Sequence, residues 1–108
     1  MKILELIKHL KTFDKAEQLK NKQLPNVEFD LAELYMENSL SLDSNIRFFD
    51  SEKISNDLEM EVEGIKYVNL FPLYLAQEMI EEFTKSTEKK YSDLEIANRL
   101  LEYRINDA

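Results

Sequence analysis

Residues 58–68 read Leu-Glu-Met-Glu-Val-Glu-Gly-Ile-Lys-Tyr-Val, and the glycine among them is the only one in the chain. Leu58, Met60 and Val62 alternate with Glu59, Glu61 and Glu63. Period-two alternation places the apolar three on one face of a strand and the carboxylates on the other. A tight turn at Glu63-Gly64 would pair Val62 with Ile65, Glu61 with Lys66, and Met60 with Tyr67. Two of those pairs are apolar and one joins opposite charges, so all three favour the register. The glycine supplies the positive φ that such a turn needs. Glutamate is not a favoured turn residue, so a bulged turn fits the pattern equally well.

A two-stranded hairpin does not hold by itself in water, so the rest of the chain must cover its apolar face. Ile3, Leu6, Ile7 and Leu10 carry the i, i+3, i+4, i+7 stripe of an amphipathic helix, which Phe13, Ala16 and Leu19 could extend. Asp14 and Glu17 match a capping box, which points to a break near Thr12–Asp14. After Pro25, Asn26 is positioned to cap a second helix running through Met36, with Phe29, Leu31, Leu34 and Tyr35 as its apolar side. The stretch 38–45 is a polar loop. Ile46-Arg-Phe-Phe49 is short and aromatic, and reads as a strand.

Past the hairpin, Pro72 suits the first position of a helix. Leu73, Ala76, Met79, Ile80 and Phe83 form its apolar face, and Gln77, Glu78, Glu81 and Glu82 the other. Ser92 with Glu95 matches a capping box for a last helix over 92–104, with Ile96, Ala97, Leu100, Leu101 and Ile105 as inward positions. The expected fold is a single α+β domain over residues 1–108. It has a small antiparallel sheet, made of the hairpin at about 58–69 and an extra strand at about 46–49, covered by N-terminal and C-terminal helices.

Composition removes much chemistry. The chain has no Cys, so disulfides, thiolate nucleophiles, zinc knuckles and iron–sulfur clusters are excluded. One His cannot make a multi-histidine metal site, and one Gly cannot build a phosphate-cradling loop. The N-terminal apolar residues are broken by Glu5, Lys8 and His9, so no signal-peptide core is expected. No apolar run approaches the ~18 residues that cross a bilayer. A cytoplasmic location is the expectation.

His9 lies beside an apolar stripe with no nucleophile at a recognisable spacing, so it is read as a boundary residue. Ser39, Ser41 and Ser44 sit in Asn-Ser-Leu-Ser-Leu-Asp-Ser-Asn, a run that resembles the Asp-Ser-Leu phosphopantetheine site of acyl carrier proteins. However, Asn38 precedes Ser39 here, and the alternating segment has no place in a four-helix carrier, so a turn region is the reading. The segment from Asp57 lacks the mid-loop glycine and closing glutamate of a calcium loop. No catalytic, cofactor or metal-ligating residue is assigned, and no cofactor is expected.

Charge is more informative. Lys+Arg is 14 and Asp+Glu is 22, a net charge of −8. Residues 1–24 hold six Lys against three acids, which is +3. Residues 28–63 hold eleven acids against Arg47 and Lys53, which is −9. Concentrated acid repels nucleic acid and anionic membranes and speeds encounter with a basic protein. It also confers solubility, whatever the function.

The expected function is therefore non-catalytic: binding and neutralising a basic protein partner. The concrete expectation is a bacterial immunity or antitoxin-like protein for a basic toxin domain, for example a nuclease, with the free protein a monomer or weak homodimer. Glu59, Glu61 and Glu63 are the main partner-binding candidates, followed by Asp57, Glu33 and Glu37. Alternate strand residues stand roughly 6.5–7 Å apart, which makes a row of charge suited to Lys and Arg. The alternatives are an acidic adaptor or subunit of a larger complex, a DNA mimic, and a small carboxylate-dependent enzyme.

Overall fold

The structure is a computed structural model that describes residues 1–106. Among these residues the chain forms four α-helices and one four-stranded antiparallel sheet. The helices are α1 (Ile3–His9), α2 (Phe13–Gln23), α3 (Leu73–Lys85) and α4 (Asp93–Asn106). The strands are β1 (Ala32–Glu37), β2 (Ile46–Asp50), β3 (Glu59–Val62) and β4 (Ile65–Pro72), in the spatial order β2-β1-β4-β3. The α+β class, the hairpin, the 46–49 strand and the covering N-terminal and C-terminal helices are as the sequence indicates.

The hairpin register is Met60 opposite Tyr67, Glu61 opposite Lys66 and Val62 opposite Ile65. The turn has two residues, with φ of 54° at Glu63 and 81° at Gly64. Two left-handed residues in succession make a type I′ turn, whose twist matches that of the strands it joins. The tight turn therefore stands and the bulged alternative does not.

The helix expected over Asn26–Met36 is a correction. Asn26 does not cap a helix but takes a left-handed φ of 69° in a turn. A short 3-10 turn at Phe29–Leu31 then leads into β1. Ala32, Leu34 and Met36 face the helices, while Tyr35 packs on the opposite side of the sheet. β1 is a central strand covered on both faces, so three consecutive residues, Leu34 to Met36, are fully buried and the alternation is masked.

One face of the sheet meets all four helices. Ile3, Leu6 and Ile7 of α1, Ala16 and Leu19 of α2, Leu73 and Ile80 of α3, and Ile96 and Leu100 of α4 close over Leu34, Met36, Phe48 and Leu70. The register between β1 and β4 slips by one residue, with Leu34 opposite Phe71 and Tyr35 opposite Asn69. This bulge lets the neighbours Leu70 and Phe71 both join the main core. On the other face, Tyr35, Phe49 and Tyr67 form a second, smaller cluster with Ile54, Met60 and Val62.

The helix ends show where polar residues serve the fold. Thr12, not Asp14, caps α2, accepting the Lys15 N–H at 3.3 Å. Ser92 and Glu95 exchange bonds of 3.1 Å, as a capping box requires. α3 begins at Leu73, with Pro72 still paired in β4. Gln77, expected on the exposed face, is buried, and its amide donates to the Leu10 carbonyl at the end of α1 at 3.3 Å. Ile105, expected inward, is 58% exposed. Lys20 is buried and donates to the carbonyls of Leu24 and Val27, satisfying the C-terminal end of α2 and the loop that follows.

Candidate partner-binding surface

β3 is an edge strand, and this placement decides what its carboxylates can do. Met60 and Val62 pack into the Tyr35–Phe49–Tyr67 cluster. By alternation, Glu59 and Glu61 point to the other side of the sheet, the side that carries the helices. Both are nevertheless exposed, as is Glu63 in the turn. Glu59 accepts an ion pair from Lys66 at 3.4 Å, with both side chains more than half exposed. Lys66 stands opposite Glu61 in the register yet reaches diagonally to Glu59. Among the described residues, Glu61 and Glu63 have no ion-pair partner.

The connection from β2 to β3 joins opposite edges of the sheet, so residues 51–58 must cross the strands between them. They cross on the face without helices. Ile54 packs on the aromatic cluster, and the Tyr35 hydroxyl donates to the Asp57 carbonyl at 2.9 Å. At the start of the crossing, Asp50 accepts the Glu52 N–H at 3.0 Å. Within it, Asn56 takes a left-handed φ of 61° while its amide donates to the Ser51 carbonyl at 2.7 Å. These bonds hold the backbone of the crossing, which carries the exposed Asp57 and leads into β3.

The six candidate residues do not form one patch. Asp57, Glu59, Glu61 and Glu63 are consecutive alternate positions on the crossing, the edge strand and its turn. Glu33 and Glu37 lie on β1, at opposite ends of a central strand, and are half-buried. Glu33 accepts from the Asn69 amide at 3.3 Å. Burial pushes the Glu33 carboxyl above its ordinary value, and the Asn69 hydrogen bond offsets this only in part. Burial likewise raises the neighbouring Tyr35 phenol. Glu33 is therefore held by the fold more than it is offered to a partner.

The sequence reading missed a cation on the face without helices. The Arg47 guanidinium lies 4.7 Å from the Phe49 ring centroid and 5.6 Å from that of Tyr67, and donates to the Tyr67 hydroxyl at 3.2 Å. The signal was available, since Arg47 and Phe49 share one face of β2 by alternation. His9 is half-buried and stands with Lys8, Lys15 and Lys22 around a shallow cleft on the basic N-terminal helices. Ser39, Ser41 and Ser44 are structural: Ser44 donates to the Ser39 carbonyl at 2.6 Å and meets Ser41 at 3.0 Å within the β1–β2 loop.

Among the described residues, no group of three or more His, Asp or Glu converges where a cation could sit. No helix there is long and apolar enough to cross a membrane. No family model, no curated protein and no solved structure matches the chain.

Proposed function

We propose that this chain is a non-catalytic inhibitor that binds a basic protein partner. The concrete form of the proposal is a cytoplasmic bacterial immunity or antitoxin-like protein that neutralises a basic toxin domain, such as a nuclease. One observation carries it: Asp57, Glu59, Glu61 and Glu63 form an exposed run of carboxylates on backbone held by strand pairing and the Tyr35–Asp57 bond, offset by Lys66 alone. A row positioned before binding loses less entropy on association than a flexible acidic tail. A toxin that grips nucleic acid needs a cationic cleft, and such a row is complementary to one. Glutamates on a short edge strand also deter edge-to-edge pairing, a role that coexists with binding.

Immunity genes lie beside the genes of their toxins, so the test uses the product of the adjacent reading frame. Expressed alone, that product should arrest growth, and co-expression of this chain should restore it with formation of a stable complex. A harmless neighbour that binds nothing refutes the immunity reading. A harmless neighbour that forms a stable complex identifies an adaptor instead.

A further inference from the structure

α3 and α4 diverge around an open groove of about 700 Å³. Leu75, Met79 and Phe83 recur every fourth residue along the α3 wall, each only half-buried. Tyr91 stacks edge-on against Phe83 at 5.0 Å between ring centroids, and Tyr103 of α4, 51% exposed, completes the apolar lining. Glu78 and Glu82 stand on the α3 rim and Glu102 on the α4 rim, all exposed; among the described residues Arg99 is the one cation in the lining, and the Lys89 ammonium stands 5.0 Å from the Tyr91 ring centroid at its edge. Carboxylates thus flank an apolar floor on both sides.

We infer that the α3–α4 groove is a docking site for an amphipathic helix of a partner protein, with apolar anchors bordered by Lys or Arg. The walls of the groove are helices whose backbone groups are already paired. An extended segment laid there would bury its own N–H and C=O groups without partners, whereas a helix satisfies them internally. The α3 stripe from Leu75 to Phe83 spans about 12 Å at 1.5 Å per residue, or roughly two turns of a bound helix. Methionine and aromatic rings suit such a floor because they adapt to different anchors. The rim charge selects a basic helix over an acidic one. A second copy of this chain would bring its own Glu78, Glu82 and Glu102 against the same acidic rim, and like-charge juxtaposition disfavours it as the occupant. This surface is separate from the β3 row and does not depend on it.

The test uses the full chain and a fluorescent synthetic helix about 18 residues long, with Leu at heptad a and d positions and Lys on its flanks. Binding should be saturable, and amide shifts in the wild-type protein should centre on Met79, Phe83, Tyr91 and Tyr103. Tyr103→Glu should weaken binding about tenfold or more, as loss of a central aromatic anchor does. Glu78→Lys with Glu82→Lys should weaken it and reduce its salt dependence. Glu52→Lys, at an exposed position on the crossing over the opposite face of the sheet, should leave affinity within about twofold, since distant sites act independently. Equal binding by a scrambled, non-amphipathic peptide of the same composition would overturn the proposal. So would unchanged affinity in Tyr103→Glu, or a dimer of the free protein that Tyr103→Glu abolishes, which would make the occupant a second copy.

Discussion

Replacing Glu63 with Asn should stabilise the protein. Glu63 occupies the first position of a type I′ turn at φ 54°, where a side chain with a Cβ is strained. A left-handed residue costs roughly 1–2 kcal/mol for most L-amino acids, while Asn tolerates that region through local hydrogen bonding. Relief of about half this penalty gives a gain of about 0.5–1 kcal/mol, or roughly 2–5 °C in Tm for a chain of this size. Gly64 provides the converse. A Cβ there would meet nothing within 4 Å, so Gly64→Ala tests the backbone alone at φ 81° and should cost about 1 kcal/mol. Urea unfolding followed by circular dichroism measures both, with an unchanged slope showing that the unfolded state is unaltered. Glu63→Gln is the control, because it removes the charge without supplying the left-handed preference. A gain in Glu63→Gln equal to that in Glu63→Asn would assign the effect to carboxylate repulsion and refute the turn argument.

Three further outcomes test the fold around the candidate surface. Burial holds the Glu33 carboxyl above its ordinary value, so the folded chain keeps that proton more tightly than the unfolded one. Stability from this group therefore falls as pH rises from the unfolded carboxyl value through the raised folded one. Glu33→Gln, which can still accept from Asn69, should raise Tm at pH 7 and give no gain below the unfolded value; a lower Tm at pH 7 would contradict this. Tyr35→Phe removes the bond to the Asp57 carbonyl and should cost about 0.5–1.5 kcal/mol, with faster amide exchange across 54–57 as the specific readout. Leu100→Ala, at a 2% exposed position on the inward face of α4, should cost about 2–5 kcal/mol, and a change within ~0.5 kcal/mol would place that side chain outside the core.

The hairpin was legible in the sequence because its information is local: alternation, one glycine and three matched pairs specify the register without the rest of the molecule. Ser92 and Glu95 were legible for the same reason. β1 was not, because Tyr35 is covered by a cluster whose other members, Phe49 and Tyr67, come from distant strands. Burial on both faces gave the segment the apolar spacing of a helix. Gln77 and Lys20 were unreadable as core residues because their partners, the Leu10 carbonyl and the 24–27 loop, exist only once the helices have docked or ended. The acidity of 28–63 was visible in the chain. Its division was not: placing Glu33 and Glu37 on β1 and the other four on the crossing and edge strand requires the order β2-β1-β4-β3.

The central claim is that the exposed carboxylates of β3 steer and hold a basic partner. The most direct measurement is the association rate with the product of the adjacent reading frame, by stopped flow across a range of salt concentrations. It compares wild type with the Glu59→Lys, Glu61→Lys double variant, after circular dichroism has shown that the variant is folded. The account predicts a wild-type rate that falls steeply as salt rises, because exposed charges are screened over about 8 Å at physiological ionic strength. It predicts a variant rate at least about tenfold lower at low salt, converging on wild type as salt increases. Equal rates and equal salt slopes for the two proteins would contradict it and remove the β3 carboxylates from the interface.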